Sequence, residues 1–384
     1  MRLIIRRRTR LACDALALAI LLRRAPDLAA QGAQDSVPRR EPWSQATDAD
    51  SARLFYKGLG FGSDAYNTPL TVLLNKGYDV FQLRSSPRNI WSFPYGTAWQ
   101  HGIADVARGP GGIIRDFGGW GRFARFEMYP SSLNTNEWNW LVNYTEHFIG
   151  GGVTMRMLHE WYREHGVPLP RVMAILTTFT ASMLNEITEQ QKYAIPMAGT
   201  VADLLIFDVA AVSLFHWKQP ATFLARTLQL ADWSSQAAFT YPNQQLQNNG
   251  QYLTLKVPVG LGRTRLFIRG GMGIQFGVSR KLDDSHHLSV GLGGDTQARS
   301  VDDSGLESVG FAAGTGIYFD RNNSLLWSVT SSPAENVLAV NVYPGTLGVP
   351  MRNLGLWGVV TRHHELRLGV VHRKVLGLGA GYGR

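Results

Sequence analysis

The chain has 384 residues, 45% of them hydrophobic, with 41 glycines and one cysteine. That apolar fraction excludes wholesale disorder, and a lone Cys13 excludes a disulfide framework and any cysteine-based zinc or iron–sulfur site. The net charge of +9 does not mark a nucleic-acid binder: residues 1–33 hold seven arginines against two aspartates, which leaves +4 spread over the other 351 residues without a dense basic run, whereas phosphate neutralisation needs charge gathered on one face.

Residues 1–33 have the order of a bacterial export signal. A basic stretch from Arg6 to Arg10 precedes an apolar run from Leu11 to Leu22, and small residues follow in Leu28-Ala29-Ala30 and Gln31-Gly32-Ala33. The apolar run is too short to span a bilayer well, which takes about 20 residues. Residues 34–50, polar with Pro38 and Pro42, read as a linker.

Residues 51–240 form a helical and glycine/aromatic-rich unit. A strand-like segment runs from Leu54 to Gly60, and a helix is expected over 68–83, where Pro69 suits the first turn and Leu70, Leu73, Leu74, Tyr78 and Phe81 recur at helical spacing. From 85 to 136 glycine, aromatics and arginine suggest turns, with Phe123, Phe126 and Tyr129 marking a short strand or helix near the end. Three helices then follow, from about Glu137 to His165, from Pro170 to about Gln191 and from Thr200 to Trp217, the last capped as Thr200-x-x-Asp203; a further amphipathic stretch covers 221–233.

After Tyr241 the pattern has period two. Runs such as Leu253-Thr254-Leu255-Lys256-Val257, Ile274-Gln275-Phe276-Gly277-Val278 and Leu366-Arg367-Leu368 alternate aliphatic with polar or glycine residues, separated by polar turns at Asp283-Asp284, Asn322-Asn323 and His363-His364. Residues 241–384 are therefore expected to form an antiparallel β-meander or β-barrel, and the whole chain an α+β protein of three to four helices followed by that sheet. An aliphatic sheet face must be hidden, either by lipid, as in an outer-membrane barrel, or by a covering layer of the helices at 137–233.

The helices carry ionisable groups where burial is expected. Asn143 and His147 lie four apart, Glu186 and Glu189 three apart, and Asp203 and Asp208 interrupt an apolar run. A lone buried carboxylate costs several kcal/mol unless paired or protonated, so His147, Glu186 and Asp203 are expected to meet between helices, with Glu189 and Asn143 as neighbours and Gly150-Gly151-Gly152 permitting close approach. Such a cluster is a catalytic acid/base set, a metal-ligand set or a structural network. Asp208 is assigned to solvent or a loop. No cofactor is indicated, and a metal is left open. The order Asn143-x-x-x-His147-x-x-Gly150, Ser182-x-x-x-Glu186-x-x-Glu189 and Asp203 resembles uncharacterised bacterial envelope families in which such residues sit on successive helices beside an outer-membrane-like sheet, with Phe148 here in place of the usual proline and Asn185 in place of a tryptophan. The resemblance covers residues 137–217 and implies location more than chemistry.

Together these readings give an exported protein of the outer membrane or periplasm, structural or binding in role, with membrane lipid as its partner and no nucleic acid. The alternatives are a lipid- or envelope-modifying enzyme using the His/Glu/Asp site, and a periplasmic carrier of an apolar ligand.

Overall fold

The computed structural model describes residues 53–83, 89–130, 134, 137, 139–190, 197–301, 307–332, 336–374, 377 and 379–383; the expected export signal at 1–33 and linker at 34–50 lie outside the described residues. Contacts divide the chain into Met1–Ala52 with Leu347–Pro350, and Arg53–Thr346 with Met351–Arg384. The second unit holds the helices and the sheet.

The class is α+β, but the described residues contain eight continuous helices where the sequence suggested three to four. They are α1 (Pro69–Asn75), α2 (95–108), α3 (Pro110–Asp116), α4 (120–128), α5 (139–164), α6 (Pro170–Glu189), α7 (Ala198–His216) and α8 (218–227). The excess comes mainly from α2, α3 and α4, in the stretch read mostly as turns with a short strand or helix allowed near Phe123 and Phe126. Glycine lowers helix propensity, yet Val106, Ile114, Phe117 and Phe123 from these short helices are buried against Ala198, Val201, Ala202 and Phe207 of α7. Tertiary burial outweighs local preference there. Pro110 at the first position of α3 follows Gly109 and loses no helical hydrogen bond. The helix expected over 68–83 ends at Asn75 and is followed by a separate 3-10 turn, Asp79–Gln82.

The segment from Leu54 to Gly60 is not a strand. Glu160 of α5 explains why: its Oε2 accepts the backbone N–H groups of Leu54, Phe55 and Tyr56 at 3.0, 2.9 and 2.9 Å, and its Oε1 accepts Arg156 Nε at 2.9 Å. One buried carboxylate thus satisfies three main-chain donors that a sheet would otherwise have to pair. Glu160→Gln replaces an acceptor oxygen by a donor against the same N–H groups. We expect it to lower unfolding free energy by about 3 kcal/mol and to speed protease cleavage near residues 54–56, measured by denaturant titration and limited proteolysis; an unchanged cleavage rate would show the anchor to be dispensable.

Among the described residues the sheet has thirteen strands in the order β1-β4-β5-β6-β7-β8-β9-β10-β11-β12-β13-β2-β3. From β4 (Tyr252–Leu261) through β5 (Thr264–Gly271), β6 (Gly273–Lys281), β7 (His286–Val301), β8 (Glu307–Arg321), β9 (Ser324–Ser331), β10 (Asn336–Val342), β11 (Leu354–Thr361), β12 (Leu366–His372) and β13 (Gly379–Gly383) it is an antiparallel meander. Three short strands precede it: β1 (Ala231–Asp232) on β4, β2 (Ala238–Pro242) parallel to β13, and β3 (Gln245–Gln247) on β2. The meander alternative is realised and the closed barrel is not: β1 and β3 form unpaired ends, although the segment 231–242 reaches both β4 and β13. The physical reason is that this segment divides its hydrogen bonds, its first half serving β4 and its second half β13, so no full-length strand joins the two sides.

The faces of the sheet are segregated in the reverse of a water-soluble layer. Leu292, Val278, Leu368 and Phe276 are 64%, 56%, 51% and 50% exposed, while on the opposite face Lys256, Ser279, Ser289 and Asp320 are fully buried. Among the described residues the helices cover the aliphatic face at the start of β4, where Leu253 and Leu255 pack into the helical core, and leave Val278, Leu292 and Leu368 uncovered. The helices also meet the sheet near strand ends, where Thr145 of α5 approaches Gly270 and Glu189 of α6 pairs with Arg299 of β7. The buried face is filled instead by Trp233, Phe267, Tyr318, Tyr343 and Trp357.

Candidate functional site

Three helices bring the predicted site together. His147 lies on α5, Glu186 near the end of α6 and Asp203 on α7. The imidazole Nε2 is 3.7 Å from Glu186 Oε1 and 3.8 Å from Asp203 Oδ2, and Nδ1 is 3.5 Å from Asp208 Oδ1; none of these four side chains is more than 7% exposed. The two glycines ahead of Val153 make this approach possible. A Cβ at Gly152 would sit 2.1 Å from the Phe215 ring of α7, and one at Gly151 would come 3.1 Å from Asp208 Oδ1. Both α5 and α7 are wound as π-helix where they carry the site, over Asn143–Gly150 and Asp203–Phe207. Such wide turns are uncommon, and they concentrate at functional positions.

Asp203 is therefore a site residue and not a helix cap. Helix α7 begins at Ala198, leaving Thr200 buried in its first turn. Asp208, assigned to solvent or a loop from sequence, is 1% exposed, lies within α7 and faces the imidazole. Its neighbours in sequence, Phe207 and Val209, are apolar, so only the close packing of α7 on α5 reveals its role.

The expected neighbours hold an outer ring. Asn143 Nδ2 donates to the Glu127 carbonyl at 3.1 Å and to Glu127 Oε2 at 3.2 Å, tying α5 to the π turn of α4. Glu189 forms an ion pair with Arg299. Lys76 Nζ donates to the Glu146 carbonyl at 3.0 Å. Burial pushes the Glu146 carboxyl up to about 7 and raises Asp79 well above the carboxylate range, with Lys76 opposing both. Lys76, Glu127 and Arg299 carried no spacing signal in the sequence; they join from the end of α1, the π turn of α4 and the last part of β7. Burial holds the His147 imidazole below its ordinary range, and Lys76 reinforces this while Asp208 works against it.

A cavity of about 30 Å³ borders the site, lined by Asn143, His147, Glu189 and Asp203 from the helices and by Met272, Thr296 and Arg299 from the sheet. It has room for one or two waters. A larger cavity of about 110 Å³ lies against the buried face of the sheet, lined by polar groups including Arg269, Gln275, Asp295, Tyr318 and Asn341; it shares Met272 and Thr296 with the smaller one. In chemical terms the site offers one imidazole and two carboxylates converging on one point, with a third carboxylate behind the ring. Comparison with family models, with curated proteins and with solved structures finds no match to this chain.

Proposed function

We propose that this chain is an exported protein of the bacterial outer membrane, structural or binding in role, with its sheet set in lipid and its helices gathered near the strand ends. The observation that carries the reading is the segregation of the two sheet faces. Exposed aliphatic side chains belong in contact with acyl chains, and polar groups turned inward are what a membrane sheet hides. Strands β4, β6, β7 and β8, of 10, 9, 16 and 15 residues, reach the about 9–11 residues needed to cross the hydrocarbon layer. Helix α7 is also long and apolar enough to cross a membrane, but Asp203 and Asp208 and its packing on α5 suit it to the interior of the helical layer. The basic, then apolar, then small-residue order of residues 1–33 supports export.

Expressed with its own N-terminus in a Gram-negative host, the protein should sediment with membranes, resist carbonate extraction and require detergent for release. Recovery as a monodisperse species in the soluble periplasm would overturn the reading.

A second reading, an enzyme that modifies lipid or another envelope component, is favoured by one observation: His147, Glu186 and Asp203 converge beside a cavity of water size. A carrier of apolar ligands draws less support, because the cavity against the sheet is lined largely by polar groups.

A further inference from the structure

We infer that His147, Glu186 and Asp203 bind a divalent transition-metal ion of the zinc class, with Asp208 as the positioning residue for the imidazole. The inference stands apart from the membrane reading, since it concerns only the packing of α5, α6 and α7.

The spacing is the first argument. Distances of 3.7 and 3.8 Å from His147 Nε2 to the two carboxylates are too long for hydrogen bonds. Ligand atoms about 2.1 Å from a tetrahedral ion lie about 3.4 Å from one another, so a contraction of a few tenths of an ångström brings Nε2 and either carboxylate to the separation of two ligands on one ion. One donor atom from each residue already lies within 4.8 Å of the others.

The second argument is the far side of the ring. Asp208 is 1% exposed, and neither of its carboxylate oxygens nor His147 Nδ1 makes a hydrogen bond among the described residues; the two groups face each other at 3.5 Å. A carboxylate behind the non-ligating nitrogen is the arrangement that fixes the tautomer and ring orientation of a metal-bound histidine. It presents Nε2, the nitrogen that faces Glu186 and Asp203, as the ligating atom.

Access and donor chemistry supply the third. The cavity lined by His147 and Asp203 gives a bound ion water to complete its coordination. The donor set lacks sulfur and so favours a nitrogen- and oxygen-seeking ion over a soft one.

The test uses the full chain, solubilised from whichever fraction holds it, stripped with chelator and titrated with Zn²⁺ alone. Wild type should retain about one zinc per chain by elemental analysis. His147→Gln, Glu186→Gln and Asp203→Asn should each abolish retention, Asp208→Asn should weaken it about 10–100-fold, and Asp283→Asn, in an exposed turn, should leave it unchanged. Absence of saturable zinc binding by wild type, or equal retention by the three ligand variants, overturns the inference. If the ligand variants do not fold, X-ray absorption on the wild-type zinc form decides: an imidazole among oxygen donors supports the site, and a spectrum without imidazole overturns it.

Discussion

Leu292→Arg should lower the folding free energy of this protein in phosphatidylcholine bilayers by about 2–4 kcal/mol, the range for a cationic side chain placed on the lipid face of a membrane sheet near mid-depth. Leu292 stands in the middle of β7, opposite Phe276 of β6 and Thr315 of β8, and is 64% exposed. In water the same change at so exposed a position would alter stability by no more than about 0.5 kcal/mol. The two environments therefore give answers that differ several-fold for one substitution. Asp284→Arg, in the turn before β7, provides the control, because it stays at the aqueous end in either case. The measurement is a urea titration of folding into vesicles; a loss under about 0.5 kcal/mol for Leu292→Arg would place this face in water and remove the main support for a lipid-set sheet.

The sheet was legible in sequence because strand periodicity survives any choice of solvent. Alternation at Ile274-Gln275-Phe276-Gly277-Val278 predicts a strand whether the aliphatic side meets lipid or protein. It does not say which side is buried, and here the side that sequence alone also allowed to lie under helices is covered by them at the start of β4 and exposed at Phe276, Val278, Leu292 and Leu368. Closure was not legible either, since it depends on how residues 231–242 distribute their hydrogen bonds between β4 and β13. The short helices α2 and α3 escaped notice, and α4 was read only as a short strand or helix, for a different reason. Their propensity is low, and their existence rests on Val106, Ile114 and Phe123 finding buried positions against α7, a long-range term invisible in a local window.

The site shows the same division. His147, Glu186 and Asp203 stood out because ionisable groups in apolar helices require partners, and the three do converge. Asp208 was assigned to solvent or a loop, and a register counted at 3.6 residues per turn would not have placed it, because α7 carries a π turn over Asp203–Phe207. One extra residue in a turn rotates the downstream part of the helix by about 100°, which is enough to move Asp208 from an assumed surface to the back of the imidazole. Lys76 and Arg299, which balance the outer carboxylates, come from a helix end and a strand end far apart in sequence.

Lys256→Met should be the most damaging single change on the buried face of the sheet. Lys256 Nζ lies 2.5 Å from Asp320 Oδ2, both side chains are fully buried, and Nζ sits 4.9 Å from the centre of the Trp233 ring. Removing the ammonium strands a carboxylate whose remaining polar contacts are the Asn323 N–H at 3.1 Å and His287 Nδ1 at 3.7 Å. Breaking one partner of such a pair costs about 3–5 kcal/mol, while replacing both partners costs far less. Lys256→Met with Asp320→Asn should therefore recover most of the loss, and the double-mutant cycle should give a coupling energy of at least about 2 kcal/mol. The outcome also reports on the packing of the buried face. If Lys256→Met alone costs under about 1 kcal/mol, water reaches Asp320; a large loss rescued by Asp320→Asn means that the polar groups there are packed dry against Trp233, Phe267 and Tyr318.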